Sequence, residues 1–260
     1  MRATKRRLPV HRTVAVTFLL LFACLALFSL AVQAQPAASA DSPLGTLLVL
    51  GALGLLPFLF MTATSFVKLS VVFYILRNAL GAGQVPSGAI IIALAAVLSL
   101  TVMAPVGMEM LKASQEHRSR IDAKEPLSPR SLPALLASIE SGAEPLRRFL
   151  KRNAGEREVD LFFDLSRKQP SPDGGYRPGR DDFLVVLPAF LLTELKEAFQ
   201  IGFLVFLPFL VIDMVVANVL LSLGMHMLSP TSISLPFKLL LFVLVDGFYL
   251  LTQALLLGYH

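Results

Sequence analysis

Between Asp41 and Lys68 the chain carries no charged side chain for 26 residues, enough to cross roughly 30 Å of hydrocarbon as a helix. This run predicts a first span at about residues 44–66, with Pro57 as a hinge near its middle. Phe66 to Leu80 keeps helical spacing and is stopped by Gly81, with Pro86 beyond. Charge is absent again after Arg77 up to Met108, which predicts a second span at 87–108 with Pro105 close to its end. Residues 109–182 are polar. From Phe183 to Leu223 the chain is again mainly apolar, and these 41 residues in one straight helix would measure about 60 Å. No polar turn flanks Pro208 in Phe206-Leu207-Pro208-Phe209, and a hairpin with bare backbone cannot sit in lipid. The pattern therefore predicts one long helix, bent at Pro208 and buried among other helices. The turn Gly224-Met225-His226-Met227-Leu228-Ser229-Pro230 follows, then a last helix from Ser234 to Leu257.

Composition places these runs in a membrane. Hydrophobic residues make up 55% of the chain and its mean hydropathy is +0.70, well above a soluble domain. The net charge of +5 suggests an anionic partner until its position is considered. Arg2, Lys5, Arg6, Arg7 and Arg12 precede an apolar run, Thr13 to Val32, that ends in the small-residue sequence Val32-Gln33-Ala34. Residues 1–34 thus read as a signal peptide or an uncleaved signal anchor, and without its five basic residues the chain is neutral. Nucleic acid is excluded as the reason for the basicity. The orientation puts residue 41 outside, and Lys68 and Arg77, with no acid near them in sequence, on the cytoplasmic side. Residues 109–182 then lie outside. Within them Ser131 is placed to cap a helix with Leu132, Leu135, Leu136 and Ile139 on one face. Pro145–Arg152 and Arg157–Lys168 read as two further short helices, and 169–180 as a loop.

The sole cysteine, Cys24, lies in the leader, so neither disulfides nor thiolate metal sites are expected. No phosphate loop, HExxH or GxSxG motif occurs. An enzyme is not expected, nor is a cofactor.

The chemistry that remains is charge inside apolar sequence. Such charges are costly at lipid depth and face a protein interior or water. Glu194 and Glu197 share a helical face, and Lys196 points elsewhere, toward an acid of a neighbouring chain. Together with Gln200 they read as polar anchors between helices or subunits, or as an ion or proton relay. Asp213, Lys238 and Asp246 are isolated in sequence and call for partners across interfaces. In the turn, Gly224 and Pro230 act as hinges, and Met225 and Met227 flank His226. Their flexible thioether side chains fit irregular gaps, either inside a helix-turn-helix or as a ring closing a pore.

Several blocks together resemble the FliP/SctR (YscR/HrcR) family, the export-gate membrane protein of type III secretion systems. They are Phe66-Val67-Lys68 through Leu76-Arg77-Asn78-Ala79-Leu80-Gly81 to Gln84-Val85-Pro86, then Val102-Met103-Ala104-Pro105-Val106. The longest runs from Glu194-Leu195-Lys196-Glu197-Ala198-Phe199-Gln200 to Ile212-Asp213, and the last from Ser234-Leu235-Pro236-Phe237-Lys238 to Asp246-Gly247. The virulence branch is the more similar. The resemblance implies an all-α integral protein of the bacterial inner membrane whose bent hairpins assemble into a helical gate. Its partners would be further copies, SctS/FliQ-type and SctT/FliR-type subunits, an SctU/FlhB-type switch protein and unfolded secreted substrates. Met225 and Met227 match the pore gasket, with His226 where Met or Gln is expected. Two other readings stay open: a solute or ion transporter using Glu194, Glu197 and Asp246, and a membrane scaffold without a pore.

Overall fold

The computed structural model describes residues 43–81, 83, 86–118, 132–168 and 177–259. The leader at 1–34 with Cys24, the proposed cap Ser131 and residues 169–176 lie outside the described residues. The fold is all-α, with eight described helices: α1 Pro43–Ala63, α2 Phe66–Leu80, α3 Gly88–Arg118, α4 Leu132–Asn153, α5 Glu156–Lys168, α6 Phe183–Ser222, α7 Pro230–Leu244 and α8 Gly247–Leu257. The chain divides into two units, Met1–Leu56 and Pro57–His260. Of the first, only the helix beginning at Pro43 is described.

The core of the second unit forms around α2. Phe66, Leu69, Val72, Phe73, Leu76, Ala79 and Leu80 are all buried, because apolar positions three and four apart leave this helix few polar faces. It packs on α3 and α6, and its end meets α7. At Gly202 of α6 the approach is close: a Cβ there would stand 2.3 Å from Ile75 Cδ1 and 3.2 Å from its Cβ. A second cluster joins α3, α4 and α6 through Val102, Phe149, Leu150, Val186 and Phe190, and Val159 of α5 packs on Val185 and Ala189 of α6.

Two helices, Gly88–Gln115 within α3 and Phe183–Ser222, are long and apolar enough to cross a membrane, and two bent pairs bring the number to four. The first bend, 71°, falls at Thr64–Ser65. Hydroxyls supply the partners that a broken backbone needs in apolar surroundings. Thr64 Oγ1 donates to the Phe60 carbonyl at 2.6 Å, and Ser99 of α3 bonds both Thr64 (3.1 Å) and Ser65 (3.2 Å). The second bend, 59°, separates α7 from α8.

Three expectations need correction. The helix predicted to end at Met108 continues to Arg118. The two helices expected at 132–139 and 145–152 are one, α4, with Pro145 inside it. A proline costs one helical bond, and here the packing of Gly142 beside Ser114 and of Phe149 and Leu150 in the core continues across it. The last helix, expected unbroken from Ser234 to Leu257, is interrupted at Val245–Asp246, where Asp246 takes a left-handed conformation (φ 50°). Pro188 and Pro208 both lie inside α6, which runs unbroken for 40 residues, and Pro57 lies inside α1.

Replacing Gly202 by Val is expected to destabilise the chain by about 1–3 kcal/mol through overpacking. Thermal unfolding in detergent checks this, since Ile75→Ala should recover part of the loss only if the two side chains collide.

Candidate functional site

Glu194 is wholly buried in α6. Its Oε1 lies 3.0 Å from Nζ of Lys68, a residue of α2 that is itself only 4% exposed. The same ammonium lies 2.6 Å from Oε2 of the half-buried Glu197. Spacing of three puts both acids on one face of α6, and that face meets α2. A third group closes the site: the Tyr259 hydroxyl donates to Glu194 Oε2. The Tyr259 ring stacks on Phe149 of α4 at 6.2 Å, and the Lys68 ammonium stands 4.2 Å from its centroid. Arg152 of α4 donates to the Tyr259 carbonyl at 3.3 Å. One buried cation thus ties α2, α4, α6 and the segment after α8 together.

A second site lies at the other end of α2. Lys238 of α7, 3% exposed, places Nζ 2.6 Å from Asp213 Oδ2 and 3.0 Å from the Ala79 carbonyl. That carbonyl belongs to the last turn of α2, where no intrahelical donor remains and positive charge is favoured. Ser234 donates to the other oxygen of Asp213. Gly81, with φ 70°, ends the helix in the left-handed conformation and lets the chain leave beneath Lys238. Lys68 facing Glu194, Ile75 against Gly202 and Ala79 beside the Asp213 pair occur in the same order on both helices. So α2 and α6 run in the same direction.

The turn between α6 and α7 is a third feature. Gly224, at φ 71°, and Met225 donate to the carbonyls of Leu221 and Leu220 and close α6, while Pro230 begins α7. Met225 and Leu228 are half exposed and Met227 is 98% exposed. On the exposed side of α6, Lys196 bonds Glu158 of α5 at 3.0 Å, and this contact holds the Glu158 carboxyl below the usual carboxylate range. Protonation that would break this contact therefore waits for more acid conditions than an ordinary glutamate needs.

These contacts revise several expectations. Lys196, Asp213 and Lys238 find their partners inside the chain rather than across an interface. Lys68 is no solvated loop charge and so carries no topological information, leaving Arg77 as the basic residue of that connection. Gln200, Lys196 and Asp246 are exposed in the single chain, not buried. Lys68, Tyr259 and Ser234 were missing from the expected site. For Lys68 the available signal was two acids three apart in an apolar helix, which require a cation from elsewhere. Among the described residues no group of three or more His, Cys, Asp or Glu is placed to hold a metal.

Residues 49–255 match the model of the FliP family. The chain belongs to the FliP family. It is 44% identical over 216 residues to Yop proteins translocation protein R of Yersinia pestis, covering 82% of this chain and 94% of the relative. It is 42% identical over 208 residues to virulence protein YscR of Salmonella typhimurium (80% and 92%), and 40% identical over 209 to hypersensitivity response secretion protein HrcR of Ralstonia nicotianae (80% and 94%). In this FliP-family chain Lys68, Glu194, Glu197, Asp213, Lys238 and the Met turn all fall within the matched residues, whereas Tyr259 lies just beyond them.

Lys68→Met leaves Glu194 buried without its cation and is expected to cost about 3–5 kcal/mol. Tyr259→Phe removes one donor and should cost about 1–3 kcal/mol. Thermal unfolding in detergent ranks the two, and pairing Lys68→Met with Glu194→Gln should restore part of the loss. A Lys68→Met chain as stable as the parent would mean that the network does not hold the helices.

Proposed function

We propose that this chain, in several copies and together with SctS/FliQ-type and SctT/FliR-type subunits, lines the pore through which unfolded proteins leave the cytoplasm, and that the Met225–Met227 turn closes it. Family membership makes the chain a membrane component of a type III secretion export gate, and it is not an enzyme. The proposal adds the pore, the homo-oligomer, the named partner types, an SctU/FlhB-type switch protein beside them, and a multi-pass inner-membrane location with residues 109–182 outside.

The observation that carries the pore reading is the turn. A thioether exposed over 98% of its surface, at the tip between two apolar helices, has nothing to pack on in its own chain. Brought together from several copies, long unbranched side chains conform to an irregular opening and to an extended polypeptide passing through it. His226 between them makes the ring more polar than one of methionine alone. Two of the three acids that a transporter would use for coupling are engaged otherwise: Glu194 and Glu197 share Lys68.

Met225→Ala with Met227→Ala is expected to raise small-solute leakage through the reconstituted gate while leaving its subunit composition unchanged. Leakage equal to the parent's would remove the gasket role. Purification in mild detergent tests the rest, since a monomer with solute uptake favours a transporter.

A further inference from the structure

Setting aside α3, whose polar end carries Glu109 and Lys112, the apolar parts of the described chain contain four acids, Glu194, Glu197, Asp213 and Asp246, and four bases, Lys68, Arg77, Lys196 and Lys238. Three of the bases have acidic partners in the chain. One acid and one base remain. Asp246 makes no side-chain hydrogen bond or ion pair among the described residues, and it is exposed between Val243, Leu244, Phe248 and Tyr249, all exposed as well. Its backbone is left-handed at φ 50°. Aspartate tolerates that conformation when its carboxylate bonds locally, and here it does not cap α8. Among the described residues Arg77 has no acid partner: one guanidinium nitrogen donates to the Gly83 carbonyl at 3.3 Å, and its Nε is buried with no acceptor.

We infer that Asp246 of one copy pairs with Arg77 of the next. The two groups complement each other in charge and in what each lacks: a carboxylate without a donor inside an exposed apolar patch, and a guanidinium without an acid partner. An Arg–carboxylate contact can be bidentate and so fixes orientation as well as proximity. The surrounding apolar side chains supply the burial that makes such a contact specific. In the repeating assembly proposed above, the contact runs head-to-tail, Asp246 of each copy meeting Arg77 of the next. A second copy, rather than a different subunit, is the occupant because the chain itself holds the matching unpaired cation. The inference rests on the homo-oligomeric reading given under Proposed function and names the contact that builds it.

Two versions of the full chain, Arg77→Cys and Asp246→Cys, each also carrying Cys24→Ser, are co-expressed with the other secretion components and treated in membranes with a short bis-maleimide. A dimer of the two versions, absent when either is expressed alone, is expected. In parallel, Asp246→Arg and Arg77→Asp should each reduce the yield of oligomer on native gels several-fold, and the double reversal should restore it. An oligomer of parental size without that cross-link, or cross-linking of Asp246→Cys to another component instead, overturns this contact while the homo-oligomer stands. Failure of the parental chain to form any oligomer overturns the oligomer reading itself.

Discussion

A carboxylate removed wholly from solvent must be neutralised, and Glu194 sets the terms for much of this molecule. Burying an ion costs several kcal/mol unless an opposite charge and hydrogen bonds replace its water. Here the replacement comes from two directions, the Lys68 ammonium of α2 and the Tyr259 hydroxyl after α8, and Lys68 balances Glu197 as well. Moving any of those elements away strands a charge. Apolar packing alone, between helices that are apolar on nearly every side, selects no particular rotation or register. Directed ionic contacts do, and this network fixes which face of α6 meets α2.

The same logic recurs where the backbone is interrupted. At Thr64–Ser65 a small cluster of hydroxyls centred on Ser99 satisfies the break between α1 and α2, so a 71° bend is compatible with apolar surroundings. At the far end of α2, the Ala79 carbonyl takes a proton donor from Lys238, whose own charge is balanced by Asp213. Both ends of the central helix are thus closed by side chains from other helices. The loss of either would expose groups that lipid cannot satisfy.

How much of this was legible beforehand depended on range. Uncharged runs predicted the apolar helices, and Gly81 predicted where α2 stops, because those signals are local. The unbroken course of α6 through Pro208 also followed from the chain, since its flanks offer no polar turn. By sequence alone Lys68 reads as a cytoplasmic marker, because distance along the chain hides its acid partners more than 120 residues away. Asp213 and Lys238, 25 residues apart, were assigned to interfaces for the same reason: their contact depends on how α6 and α7 fold against each other, which spacing along one helix does not reveal. Pro145 and Asp246 failed in opposite senses. Packing carries α4 through a proline, while an aspartate with ordinary neighbours marks the break between α7 and α8.

These contacts also divide the last two long helices into a fixed root and a freer tip. The Asp213–Ser234–Lys238 contacts bind α6, α7 and α2 at one level. Beyond Asp213, α6 continues for nine residues to Ser222, a projection of about 14 Å at 1.5 Å per residue. Along it Met214, Val215, Val219 and Leu221 are exposed, as is the turn itself. A closure that must seal around an extended chain and then yield to it requires both properties: a root that does not slide, and a tip whose packing is supplied by neighbours rather than by its own chain. Charge provides the first. The thioether side chains of Met225 and Met227, unclaimed within the molecule, are suited to the second.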